Sequence, residues 1–180
     1  MDAVRQLLDE ETFHEATVEE IAERAGVARA TVYQHFGSRM GLTDAICDVV
    51  GESPEYQAIG ASLDLEDPVE ALRGVIANAV RLWESEEGMH RHLYGLAEID
   101  PAAREFVERQ TRDRRSVLAR LIDALRHGRR LRRGTRDADA LAQLLLLTSF
   151  HTFEELRRNG GLAPAAIERT LTRLAEGLLV

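Results

Sequence analysis

TVEEIAERAGVARATVYQHFGSRMGLTDAI, residues 17–46, holds the turn from which the rest of the chain can be read. Thr17 is followed three positions later by Glu20, the spacing at which a hydroxyl caps a helix N-terminus and a carboxylate reaches back to the cap. A helix from Val18 to about Ala25 follows, with Ile21, Ala22 and Ala25 facing inward. Gly26 supplies the left-handed backbone that stops a helix sharply, and Val27 is apolar enough to plug the turn. A further helix runs from about Arg29 to His35, with Val32 and Phe36 four apart to anchor it. Its exposed side chains are Arg29, Thr31, Tyr33, Gln34 and His35. Two short helices joined by a glycine turn form a helix-turn-helix, in which the second helix offers its first residues to base edges in a major groove. The exposed set is rich in donors and free of acids, and Arg29 can address guanine with two hydrogen bonds.

Outward from this turn, apolar residues recur at three- and four-residue spacing and no stretch alternates with period two, so the fold class is all-α. Asp2–Glu10 reads as the first helix, and Ser38 as the cap of a helix ending near Gly51. Glu52–Asp67, with its Gly, Ser and Pro54, reads as a connector. Beyond it the spacing predicts helices at about Pro68–Glu86, Met89–Glu98, Pro101–His127, Asp137–Arg158 and Pro164–Leu179; three of these open on proline, where a missing amide is harmless. The organisation is a three-helix helix-turn-helix domain over residues 1–51 and a helical domain over residues 52–180.

The net charge of −8 argues against a DNA partner until its distribution is considered. Residues 1–51 carry −6, 52–103 carry −8, 104–136 carry +8 and 137–180 carry −2. Between Ala28 and Thr43 there is no Asp or Glu, so the recognition segment is an acid-free window in an acidic domain. All 23 basic residues are Arg. A single cysteine, Cys47, allows no internal disulfide, and no charged-then-apolar leader opens the chain, so the expected location is cytoplasmic. The longest nearly apolar run, Leu141–Leu147, contains Gln143 and is far shorter than the roughly 20 residues a bilayer requires.

The pattern T-V-x-x-I-A-x-x-A-G-V-x-x-x-T-V-Y-x-H-F-x-S-R, unbroken from Thr17 to Arg39, resembles the DNA-binding domain of the TetR family of regulators. The resemblance runs from Asp2 to Ala45 with looser ends. It implies base-facing roles for Ala28, Arg29, Ala30 and Gln34, and phosphate contacts from Thr17, Thr31, Tyr33, His35 and Arg39, which fix register without reading sequence. Arg39 stands where a lysine is more usual. The resemblance further implies a repressor, a homodimer joined through its last two helices, a near-palindromic operator and release by a small-molecule effector, with no cofactor. Leu141, Leu144, Leu145 and Thr148, and Ile167, Leu171, Leu174 and Leu178, form stripes that suit such an interface or this subunit's own core. The family's members begin some residues earlier, and Gly41 replaces a better helix former, which by propensity should cost about 1 kcal/mol relative to Ala. The short start motivates an alternative, a ligand-binding or interaction module with weakened DNA binding.

For the effector, Trp83, Met89, Leu93, Tyr94, Phe106, Phe150, His151 and Phe153 supply bulky lining with a few polar tips, the mix that small-molecule sites use, and favour a hydrophobic ligand. Aromatic stripes at this spacing are more often ordinary core. Arg126, Arg129, Arg130, Arg132, Arg133 and Arg136 read first as a solvated helix end whose cations complement the dipole, and second as a nucleic-acid patch. His90 and His92 are two apart, which sets them on different faces, so they read as surface histidines and not a metal site. Cys47 reads as an inward structural thiol. There is no phosphate loop, nucleophile elbow or zinc signature, so an enzyme is not expected.

Overall fold

The computed structural model describes residues 6, 16–37, 41, 42, 45, 53–85 and 87–180. The predicted first helix, apart from a helical Gln6, and most of the helix after Ser38, with Arg39 and Cys47, lie outside the described residues. The described elements are α1 (Val18–Arg24), α2 (Arg29–Phe36), α3 (Pro54–Ala61) with a 3₁₀ turn over Ser62–Asp64, α4 (Pro68–Ser85), α5 (Glu87–Leu96), α6 (Pro101–His127), α7 (Asp137–Leu147), α8 (Phe150–Glu154) running into a π-helical turn over Glu155–Asn159, and α9 (Pro164–Glu176). Among the described residues the fold is all-α; the one extended pairing is an isolated antiparallel bridge between Leu131 and Leu179. The chain forms two compact units, Met1–Glu52 with Glu86–Gln110, and Ser53–Ser85 with Thr111–Val180.

In the first unit Val18 and Ala22 of α1 pack on Val32 of α2, with Phe36 alongside. Ile21 and Leu42 join a second cluster with Met89, Leu93 and Ala97 from α5 and its end and Ala103 and Phe106 of α6. Gly41 is explained by close approach: a Cβ there would collide with the Phe36 carbonyl oxygen, so alanine is not the better residue that helix propensity alone makes it. His90 is also corrected. It is 1% exposed, on the same buried face of α5 as Met89 and Leu93, because the apolar stripe passes over it.

The second unit is built on α4, which buries Leu72, Val75, Ile76, Ala79, Val80, Leu82 and Trp83. Leu118, Leu121, Ile122 and Leu125 of α6 are buried, as are Phe150 and Phe153 of α8 and Ile167, Leu171 and Ala175 of α9. The expected connector 52–67 contains a helix. Ser53 caps it by accepting from the Tyr56 amide (3.3 Å), and Pro54 occupies the first turn.

The single helix expected over Asp137–Arg158 breaks at Thr148 and Ser149. Thr148 Oγ1 donates back to the Leu144 carbonyl (2.8 Å), and Ser149, in extended conformation, caps α8 by accepting from the Thr152 amide (3.1 Å). Breaking the helix leaves the Thr148 carbonyl without its helical donor. Trp83 Nε1 (3.2 Å) and Arg114 Nη1 (3.0 Å) donate to it instead, satisfying a buried acceptor that would otherwise be costly. Apolar periodicity continued through this point, which is why the break is invisible to it.

The arginine-rich turn after α6 is tied down by its backbone. Arg132 N–H donates to the Leu178 carbonyl (2.8 Å), Val180 N–H to the Arg130 carbonyl (2.9 Å), and Arg129 takes a left-handed conformation at φ 56°. Arg126 pairs with Asp137 and Arg136 with Asp139 (2.7 Å), while Arg129, Arg130, Arg132 and Arg133 are exposed.

Candidate nucleic-acid interface

The site begins with the cap. The Glu20 amide donates to Thr17 Oγ1 (3.2 Å), while the Thr17 amide (2.7 Å) and hydroxyl (3.0 Å) both donate to Glu20 Oε2. Both Thr17 donors are thus engaged, and a phosphate contact from its hydroxyl has to draw it away from Glu20. These bonds, the backbone one foremost, hold the Glu20 carboxyl below the usual carboxylate range. A group with a lowered folded-state pKa contributes stability that is full at neutral pH and lost as pH falls through that value. Thr17→Ala is expected to destabilise the chain by about 1 kcal/mol in denaturant melts at pH 7. Glu20→Gln, which keeps a capping side chain, is expected to flatten the acid limb of the stability profile; an unchanged limb would show that Glu20 is not its source.

The turn then sets the second helix. The Gly26 amide donates to the Glu23 carbonyl and the Val27 amide to the Ala22 carbonyl (both 3.0 Å), with Gly26 at φ 65°. Main-chain bonds close this turn, whereas Val27, expected to plug it, is 41% exposed. Ala28 is the N-cap of α2, Ala30 is exposed on its first turn, and the Thr31 amide donates to the Ala28 carbonyl (2.9 Å). Arg29, Tyr33, Gln34 and His35 are exposed and Val32 is buried, as the spacing predicts, whereas Thr31, expected exposed, is half-buried.

Arg29 has two neighbours. Its Nη1 pairs with Glu19 on α1, its Nη2 donates to the Tyr33 hydroxyl (3.4 Å), and its Cζ stands 5.2 Å from the centre of the Tyr33 ring. The Tyr33 hydrogen bond first, and then Glu19, hold the guanidinium above its ordinary range. Glu19 is the residue that sequence order concealed: the window is acid-free along the chain, but the fold brings a carboxylate to its first arginine.

The effector candidates fall in two separate sets. Met89, Leu93 and Phe106 are buried in the first unit's core, where Tyr94 is half-buried; Trp83, Phe150 and Phe153 are buried in the second, where His151 is exposed. Trp83 meets Phe150 edge to face at 5.7 Å. A cleft of about 400 Å³ in the second unit is lined by none of the eight; Leu63, Leu65, Glu66, Pro68, Arg120 and Ala124 border it. Gln110 was missed by periodicity, which scores a glutamine as surface. It is buried on α6, and among the described residues neither its Nε2 nor its Oε1 has a hydrogen-bond partner. No group of three or more His, Cys, Asp or Glu side chains able to hold a metal occurs among the described residues, and no helix there is long and apolar enough to cross a membrane.

Residues 1–46 match the family model for bacterial regulatory proteins of the tetR family. An uncharacterized HTH-type transcriptional regulator of Bacillus subtilis, YvkB, is 39% identical over 46 residues, which are 26% of this chain and 24% of that protein, so the match spans about a quarter of the relative's length. Solved structures match far more. NalD of Pseudomonas aeruginosa, the secondary repressor of the MexAB-OprM multidrug efflux pump, superposes with a TM-score of 0.75 at 24% identity, covering 99% of this chain and 92% of its own. The TetR family regulator PfmR of Thermus thermophilus gives 0.73 at 19% identity, with 99% and 92% covered. AibR, solved with isovaleryl coenzyme A and operator DNA, gives 0.74 at 17% identity, with 94% and 92% covered. Residues 1–46 are thus similar to the N-terminal domain of the tetR family of bacterial regulatory proteins, and the chain shares its helical fold with solved TetR-family structures.

Proposed function

We propose that the chain is a repressor that holds a near-palindromic operator as a homodimer and is released by a small-molecule effector, with residues 1–51 reading DNA and residues 52–180 serving dimer and effector. The observation that carries the reading is the exposed donor face of α2, with Arg29, Tyr33, Gln34 and His35 displayed on a helix anchored by Val32. Ala28, Arg29, Ala30 and Gln34 are assigned to bases, and Thr17, Thr31, Tyr33, His35 and Arg39 to phosphates. NalD is a repressor and AibR was solved with both a ligand and operator DNA, which supports the repressor and effector assignments. The proposed location is cytoplasmic. The test is a mobility shift of the full chain on the DNA upstream of its own gene, with a random-sequence duplex for comparison. Sequence-selective retardation is expected; equal binding to both duplexes favours the alternative, a module with weakened DNA reading.

The effector is proposed to be largely apolar, met by residues from the set Trp83, Met89, Leu93, Tyr94, Phe106, Phe150, His151 and Phe153. The buried Gln110 amide supports one polar group on it, since an orphaned buried amide is stabilised by any partner that satisfies it. For the dimer, Leu144, Thr148, Ile167, Leu171 and Leu178 of the predicted stripes are buried within this chain and Leu141 and Leu145 are half-buried, so the contact is assigned to Leu174 (52% exposed) on α9 and to Leu146 (63% exposed), outside the predicted stripe, on α7. The two helices are joined where Gln143 Nε2 donates to the Leu174 carbonyl (3.2 Å). Exposed apolar side chains on adjoining helices suit a two-fold, self-complementary contact. Replacing both by glutamate is expected to give a monomer in sedimentation with the helical signal retained, and to weaken operator retardation; a variant that stays dimeric would move the interface elsewhere.

A further inference from the structure

We propose that Glu19 is a specificity-determining residue: its carboxylate keeps Arg29 off non-cognate phosphates and gives it up to a guanine edge. The proposal rests on the reading of α2 as the recognition helix and adds to it a residue on α1. Glu19 and Arg29 side chains are 52% and 57% exposed, and they meet across the turn centred on Gly26. Arg29 is the first residue of α2, and in the free protein its two terminal nitrogens are engaged, one by Glu19 and one by the Tyr33 hydroxyl.

An exposed ion pair is weak, so it can be exchanged for a better partner but not for every partner. A single phosphate on random DNA offers charge without fixed geometry, and replaces Glu19 by something of the same kind. Guanine offers O6 and N7 in the plane of the guanidinium, a two-bond contact that phosphate does not match in discrimination. On random DNA, then, Arg29 stays with Glu19 and neutralises no phosphate. On the operator it exchanges Glu19 for the base. The carboxylate also sits beside the proposed DNA face, where it opposes close approach of the backbone everywhere. The exchange raises the ratio of operator affinity to random affinity, while the repulsion lowers both affinities alike.

The experiment uses the full chain and two duplexes: the tightest one recovered from a random-sequence pool by repeated selection, and a scrambled duplex of the same composition. Binding is titrated at several salt concentrations for the wild type, Glu19→Gln, Glu23→Gln and each of these in an Arg29→Ala background. Glu23 lies one turn further along the exposed side of α1, so its variant removes the same charge without touching the pair. Glu19→Gln is expected to tighten scrambled DNA by about three-fold more than it tightens the selected duplex. Its logarithmic salt slope on scrambled DNA is expected to steepen by about 0.9, one further phosphate neutralised. Glu23→Gln is expected to shift both duplexes alike. In the Arg29→Ala background the Glu19 effect on the ratio is expected to vanish.

An unchanged ratio and slope in Glu19→Gln, with Arg29→Ala still impairing the selected duplex, overturns the role of Glu19 and leaves the recognition helix standing. So does a change in ratio that persists without Arg29, or one that Glu23→Gln reproduces. Failure to recover any preferred duplex overturns the recognition reading itself and the proposal with it. Thermal melts of each variant establish that the folded chain is being compared.

Discussion

Arg29→Ala is expected to weaken operator binding by roughly ten- to a hundred-fold, and to remove the preference for one base pair in each half-site while preferences at the other positions persist. Arg29 is the cation at the start of α2, on the exposed face that Val32 and Phe36 hold against the rest of the domain. Its guanidinium is planar and cannot lose its charge, so it presents paired donors where a lysine presents a point charge. Tyr33→Phe should act differently. It removes a hydroxyl assigned to phosphate and also the hydrogen bond that the hydroxyl accepts from Arg29 (3.4 Å), so it is expected to weaken selected and scrambled duplexes together and by less. Measuring each variant against a set of single-base operator changes separates the two roles. If both leave binding unchanged at moderate salt, α2 is not the reading helix. Neither side chain is part of a core, so melting temperatures close to wild type are expected and binding losses do not reflect unfolding.

The helix-turn-helix was legible because its signals are local. Thr17 and Glu20 need only three residues to form a capping box, Gly26 needs only its own backbone to end α1, and the order of Val32, Tyr33, Gln34 and Phe36 on a helix decides which are exposed. Pro101 and His127 bound α6 at both predicted ends for the same reason. Legibility failed where a distant residue decides. Glu19 is ten positions before Arg29, and only the angle between α1 and α2 brings the two together. The break at Thr148 and Ser149 is sustained by Trp83 and Arg114, which come from other helices, to satisfy one carbonyl. Leu144 and Leu146 are alike as sequence, and one is buried while the other is 63% exposed, because α7 turns between them. His90 is hidden by the same logic: its neighbours in α5 are apolar, and polarity alone reads as surface. Of the proposed interface, the exposed face of α2 follows from periodicity, whereas the effector residues are drawn from a pool of large apolar side chains that fill cores as readily as they line pockets.

That last ambiguity gives the second large effect. Phe150→Ala is expected to destabilise the chain by about 3–5 kcal/mol in denaturant melts, the range for removing a buried aromatic ring and leaving its volume behind. Phe150 is 1% exposed, and its ring stands edge to face with Trp83 at 5.7 Å, an arrangement that adds to simple burial. It also follows the Ser149 cap directly, so its packing holds α8 where the Thr148 carbonyl can meet Trp83 and Arg114. Its partner in α8, Phe153, is 0% exposed, so the surroundings have little freedom to collapse into the gap. A residue that lines an open effector cavity behaves otherwise. Its removal enlarges a space already present, and the loss should fall below about 1.5 kcal/mol, since little packing is forfeited. Small apolar molecules sharpen the distinction, because an apolar cavity left by truncation stays dry and takes up benzene. If Phe150 belongs to the core, benzene should raise the melting temperature of the alanine variant and leave the wild type unmoved. If it lines a cavity present in the wild type, both should respond. A loss above about 3 kcal/mol with selective rescue would remove Phe150 from the effector set and direct the search for that site toward the buried Gln110 amide.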